Sequence, residues 1–194
     1  MKQFLNSVLG LVLVLLGPTS VGAQEASEDL AKQLSNPVAS LISVPYQFNY
    51  DQGMGPNGTG SRTSVNIQPV FPFALNDNWN LISRTIVPFV QQTDVVPGTT
   101  QSGLGDITQS IFISPSKPTK SGVIWGVGPV FLLPTGSSGL SANQFAAGLT
   151  GVVLKQSGPW TTGVLANHLW SVGGTSGGTK ISASFVQPFA SYAA

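Results

Sequence analysis

The 194-residue chain carries no cysteine, and its eight basic side chains nearly balance seven acidic ones. No disulfide can hold it together, and near-neutrality gives no reason to expect nucleic acid or an anionic surface as partner. Only 8% of its residues are charged, against roughly 25% in ordinary soluble domains.

Residues 1–23 read as a secretory signal: Lys2 near the start, an apolar stretch from Val8 to Leu16, the helix-breaking pair Gly17-Pro18, then Val21-Gly22-Ala23 where a signal peptidase cuts. The apolar stretch is about half the roughly 20 residues that a spanning helix needs. With Gln24 as the first mature residue, Lys2 is lost and seven basic side chains face seven acidic ones. No cysteine is present to carry a lipid anchor.

Residues 24–41 are expected to form a short helical lead. Ser27 is a candidate N-cap, Glu28 and Asp29 would lie in the first turn, Leu30 and Leu34 share a face, and Asn36-Pro37 supplies the stop after Ser35.

From Ile42 the period changes to two. Ile42, Val44, Tyr46, Phe48 and Tyr50 alternate with Ser43, Pro45, Gln47, Asn49 and Asp51; after a Gly-rich connection, Thr63, Val65, Ile67, Pro69, Phe71 and Phe73 alternate with Arg62, Ser64, Asn66, Gln68, Val70 and Pro72. An antiparallel register with Asp51 opposite Arg62 matches both faces at once, setting Asn49 beside Ser64, Gln47 beside Asn66 and Phe48 beside Val65. A slip of one residue would destroy it. Pro69 then falls opposite Val44, and Pro45 opposite Gln68. Since successive N–H groups along a strand point to opposite sides, each proline removes a donor from a different seam, and a bulge or rim kink is expected at Pro69 and again at Pro188.

Further strands are expected at Trp79–Gln91, Asp106–Ser114, Gly122–Pro134, Gln144–Gln156, Trp160–Val172 and Lys180–Tyr192, about eight in all. The connections alternate in length, with 52–61, 92–105, 135–143 and 173–179 the longer ones, and 75–78, 115–121 and 157–159 the shorter ones. This arrangement, low charge and an apolar face on each strand are the marks of an antiparallel outer-membrane β-barrel, which crosses lipid without any long apolar block. Phe71, Phe73, Trp79 and Trp160 fall beside the short turns, where an interfacial girdle would lie. The expected partners are outer-membrane lipid and a small solute.

Candidate chemistry is sparse. Gly53-Met54-Gly55-Pro56-Asn57-Gly58 matches a phosphate-loop pattern in letters only, since Pro56 interrupts it and no helix follows; it and Asn57-Gly58-Thr59 read as turn chemistry. His168, the single histidine, lies in Asn167-His168-Leu169-Trp170. It offers an alternative function, a membrane enzyme acting on lipid, but no distinctive serine motif accompanies it. One histidine and scattered carboxylates give no ligand spacing, so neither a metal nor another cofactor is expected, and no catalytic residue is assigned. The site candidates are the polar positions of the first hairpin, Gln47, Asn49, Asp51, Arg62, Ser64, Asn66 and Gln68, which would line the lumen of a barrel. In a small barrel they could equally form a hydrogen-bonded plug, leaving a structural, non-transporting protein.

The segments LISVPYQFNYDQGMGP, NDNWNLISRTIVPF, SGLGDITQSIFISP, GVIWGVGPVFLLPT and LKQSGPWTTGVLANHLWSV resemble a bacterial outer-membrane family labelled by the MetA pathway of phenol degradation, also described as transporters. The resemblance runs from about Asp29 to Tyr192, and the step Ser102-Gly103-Leu104-Gly105-Asp106 is its most specific element. It implies a porin-like β-barrel that passes small, hydrophobic or aromatic molecules. It supplies no catalytic residue. Members are longer and carry an aromatic near the C-terminus, whereas this chain ends Ser191-Tyr192-Ala193-Ala194, so a C-terminally shortened barrel is expected.

Overall fold

The computed structural model describes residues 21–174 and 180–193, with side chains from residue 27 onward. The expected leader lies outside the described residues except for its last three positions. These open the helix α1 (Val21–Leu34), which therefore starts earlier than the capping signals predict. Ser27 is inside the helix rather than at its N-cap, and Glu28 makes an i,i+4 ion pair with Lys32 at 2.7 Å. The stop is where Asn36-Pro37 places it: Asn36 Oδ1 accepts a hydrogen bond from the Val38 amide.

Ten strands follow: β1 (Tyr46–Met54), β2 (Gly60–Ile67), β3 (Val70–Asn76), β4 (Trp79–Thr93), β5 (Thr100–Leu104), β6 (Ile107–Pro115), β7 (Val123–Leu133), β8 (Gln144–Ser157), β9 (Trp160–Gly174) and β10 (Ser182–Tyr192). They form one antiparallel sheet in which β1-β2-β4-β6-β7-β8-β9-β10 lie side by side, with β3 and β5 also paired to β4. This is an all-β meander curled into a half-barrel, with β1 and β10 at its two edges.

Ten strands replace the expected eight for two reasons. The second expected strand breaks at Gln68-Pro69 into β2 and β3, and the loop before Asp106 contains β5, which pairs with the far end of β4. Periodicity misses β5 because Thr100-Gln101-Ser102-Gly103-Leu104 carries hardly any apolar contrast between its faces. Alternation of loop length holds only loosely, since the 116–122 connection is longer than 55–59 or 94–99.

The first hairpin has the expected register: Tyr46 faces Ile67, Gln47 Asn66, Asn49 Ser64 and Asp51 Arg62. The proline deficit is split between two seams. Gln68 donates to the Pro45 carbonyl at 2.9 Å, and Thr85 donates to the Pro69 carbonyl at 3.0 Å. In each pair the reciprocal bond would need the N–H that proline lacks. Of the expected bulge or kink, the structure shows a break in the strand at Pro69 but no bulge at either proline. Ile67 faces Val87 and Val70 faces Arg84 in one unchanged register, so Pro69 interrupts the strand without an inserted residue. At Pro188 the β9–β10 ladder runs unshifted from Ser182 to Tyr192. The bonds Ser171 N to Ile181 O and Ala193 N to Pro159 O show that odd-numbered residues of β10 bond to β9. Pro188 would have aimed its N–H at the open edge, where nothing is lost from the ladder.

Packing separates the two faces. On the concave face, Val70, Ile82, Phe112, Val152, Leu154 and Leu165 form a buried cluster near the short-turn end, and Val38 from the lead joins it. Around Val38, Ser35 Oγ donates to Thr161 Oγ1 (3.0 Å), Asn80 Nδ2 donates to Ser40 Oγ (2.8 Å) and Gln156 Nε2 donates to the Lys32 carbonyl (2.8 Å). The lead therefore plugs one end of the half-barrel. On the convex face, large apolar side chains stand exposed, among them Phe48 at 58%, Leu149 at 67% and Val186 at 63%.

Candidate functional site

Above the apolar cluster, toward the 55–59, 94–99 and 134–143 loops, the concave face holds a half-open cavity of 460 Å³. Strand alternation puts its lining there. Gln47, Asn49 and Asp51 of β1 and Arg62, Ser64 and Asn66 of β2 all face it, so six of the seven residues chosen from the sequence come together. Gln68 does not line the cavity. It is buried at its margin and ties the wall together, donating to Gln47 Oε1 at 2.6 Å and accepting from Arg84 Nη2.

The rest of the lining escaped the sequence reading. Arg84, Ile86, Pro88 and Val90 of β4 supply the neighbouring wall, while Leu165, Asn167 and Leu169 of β9 with Phe185 and Gln187 of β10 form the opposite one. Arg84 carried a usable signal, as the only charged residue of the expected strand Trp79–Gln91 and in phase with Ile82. Because apolar residues occupy both faces of that strand, its inward face could not be picked out from hydrophobicity.

The two guanidinium groups differ in support. Arg62 donates twice to Gln92 Oε1, from Nε at 3.0 Å and Nη2 at 2.7 Å, and Gln92 passes the chain on to Gln101 at 2.5 Å. Asp51 stands opposite Arg62 in the ladder. Arg84 has the Gln68 carbonyl oxygen as its hydrogen-bond acceptor. Among the described residues the only ion pair is Glu28–Lys32, so no carboxylate meets either arginine at contact distance. Asn49, at 9% exposure, has an Oδ1 without a hydrogen-bond partner.

One loop folds over the mouth. Asp106 accepts from the Gly136 amide at 2.9 Å and, with its other oxygen, from the Ala142 amide at 2.8 Å. Ser137 bonds Leu104 through both backbone and side chain. The 134–143 segment is held inward so that Leu140 reaches the cavity. This gives the Ser102–Asp106 step a physical role: it ends β5, starts β6 and presents a carboxylate to the loop. Gly55–Gly58 form a turn as expected, directly after Gly53 and Met54 end β1, and Gly53, Gly55 and Gly58 are at positive φ.

His168 lies on the convex face, away from the cavity. Its Nδ1 is 2.7 Å from Ser184 Oγ, its cross-strand partner, and its ring packs 4.1 Å from that of Trp170. Its Nε2 is buried without a partner, so no third group orients the ring. Among the described residues no group of acidic or histidine side chains is arranged to hold a metal ion.

Compared with family models, with curated proteins and with solved structures, the chain has no match.

Proposed function

We propose that the protein is an outer-membrane β-barrel of the transporter type, related to the family it resembles, which admits a small solute to the cavity on its concave face. The observation that carries this reading is the inverted polarity of the sheet. Large apolar side chains stand exposed on the convex face, while Gln47, Asn49, Arg62, Ser64 and Arg84 face inward. A soluble β-protein does the reverse, and an exposed apolar surface of this extent needs a hydrophobic medium to cover it.

Two further features support lipid. Phe71, Phe73, Trp79 and Trp160 form an exposed belt at the short-turn end, where Trp79 packs edge-on against Trp125 and Trp160 against Tyr192. Polar side chains on the outward face satisfy one another: Thr85 Oγ1 donates to Gln109 Oε1 and Gln109 Nε2 to Ser83 Oγ. No described helix is long and apolar enough to cross a membrane, which says nothing against strands. The plugged end favours a gated conduit over an open pore. Passage then requires the lead to move.

Membrane fractionation tests placement: the protein should pellet with outer membranes and resist carbonate extraction, and recovery in the detergent-free periplasmic fraction would refute it. Reconstituted liposomes test transport, where flux should rise on deletion of residues 24–41; a deletion variant that remains folded yet passes nothing would confine the protein to a structural role.

A second reading, a lipid hydrolase, is favoured by the 2.7 Å contact of Ser184 with His168 on the lipid-facing side. If it holds, Ser184→Ala and His168→Ala each abolish release of fatty acid from phospholipid micelles. Unchanged release in both variants would remove it.

A further inference from the structure

Resting on the proposal that the concave face receives solute, we infer that the cavity selects an amphiphilic monoanion, an apolar body ending in a carboxylate that seats on Arg84.

Three observations converge. First, the cavity is uneven in polarity: Arg62 and Arg84 with amide side chains stand on one side together with Ile86, Pro88 and Val90, and the opposite wall is mainly apolar, with Leu165, Leu169 and Phe185 beside Asn167 and Gln187. A wholly polar solute would leave that apolar wall in contact with water, and a wholly apolar one would strip solvent from the guanidinium groups without replacing it.

Second, the cation is uncompensated where the cavity is deepest. Arg84 lies two residues along β4 from fully buried Ile82 and opposite Val70, both members of the apolar floor. Its one protein acceptor is the neutral Gln68, whose amide is braced by Gln47. That leaves guanidinium donors for a bidentate carboxylate, the geometry to which arginine is suited.

Third, the remaining charges orient the ligand and limit its valence. Asp51 sits toward the 55–59 loop opposite Arg62, and Asp106 holds the 134–143 loop at the mouth. The lining thus carries two cations and two carboxylates. A dianion would meet repulsion from the carboxylates, whereas a monoanion can leave them behind and reach Arg84 head first. Its body then lies along Leu165, Leu169 and Phe185, beneath Leu140. The volume of 460 Å³ suits one ring or a medium alkyl chain and is small for a two-chain lipid.

The test is calorimetric titration of the purified full chain in detergent with octanoate and with 1-octanol, which share a body and differ in the head group. Octanoate should bind about tenfold or more tighter, as expected for one charged hydrogen-bonded contact. Arg84→Met should erase that preference and Arg84→Lys should keep most of it. Equal affinity of wild-type protein for acid and alcohol would overturn the inference, with no variant needed. So would a preference that survives Arg84→Met in protein with an unchanged circular dichroism spectrum. Flux is not part of this readout, so selective binding without liposome transport would count against the transporter reading and leave the site standing.

Discussion

Val38 and Gly126 offer a sharp test of the plugged half-barrel. Val38 is 4% exposed within the concave cluster, and a Cβ built on Gly126 would lie 2.9 Å from Val38 Cγ1, inside the roughly 3.5–4.0 Å of a comfortable carbon contact. Its other neighbours, Phe112 Cβ and Ser114 Cβ, are at an acceptable 3.5 Å. Gly126→Ala alone should therefore cost about 1–3 kcal/mol of overpacking, offset by about 0.4–1 kcal/mol from a stiffer unfolded chain. Val38→Ala alone removes two buried methyl groups, worth about 1.5 kcal/mol before any cavity term. In the double variant the new methyl occupies the space that Cγ1 vacates. The two costs should then fall short of their sum by about 1 kcal/mol or more.

Two measurements read this out. Denaturant titration in detergent gives the stabilities, and an Ala39→Cys reporter, in a chain with no other cysteine, gives exposure of the lead to a thiol reagent. Each single substitution should accelerate labelling of this buried position, and the double should slow it again. Strict additivity, or a Gly126→Ala protein indistinguishable from wild type, would mean that Val38 does not sit against β7.

Other consequences concern the cavity wall and the edge. Asp106→Asn replaces two charge-assisted bonds to Gly136 and Ala142 with weaker or broken ones; it should cost about 1 kcal/mol and expose 134–143 to proteinase K, and an unchanged digestion pattern would show that the loop is held otherwise. Gln68→Leu strips Arg84 and Gln47 of a shared partner and should lower stability by about 1–3 kcal/mol in denaturant titration, partly recovered in an Arg84→Met background. Pro188→Ala should shift stability by no more than about 0.5 kcal/mol, because the restored N–H points away from β9; a large gain would mean that a strand covers that edge.

How far the sequence reaches depends on whether information is local. Register in the first hairpin was legible because one face is polar along its whole length, and the lumen candidates followed from the same alternation. The remaining wall was not, because β9 and β10 carry apolar residues inward as well as outward: Leu165, Leu169 and Phe185 face the cavity while Trp170 and Val186 face out. Pro188 misled for a related reason. A proline's effect depends on which side its missing donor would have pointed, and that is decided by a neighbour strand, not by the flanking residues. The lead was legible as a helix with a stop, but Val38 follows that stop without any period, so nothing local announced a core residue.

The bonds that seat the lead also impose an order on assembly. In the meander each strand meets its sequence neighbour early, yet Ser35 reaches Thr161 across 126 positions and Lys32 reaches Gln156 across 124. Loops of that size close late, after the local hairpins have formed. The lead, made before every strand, is thus among the last elements to find its place, and until β8 and β9 arrive the concave face stays unstoppered.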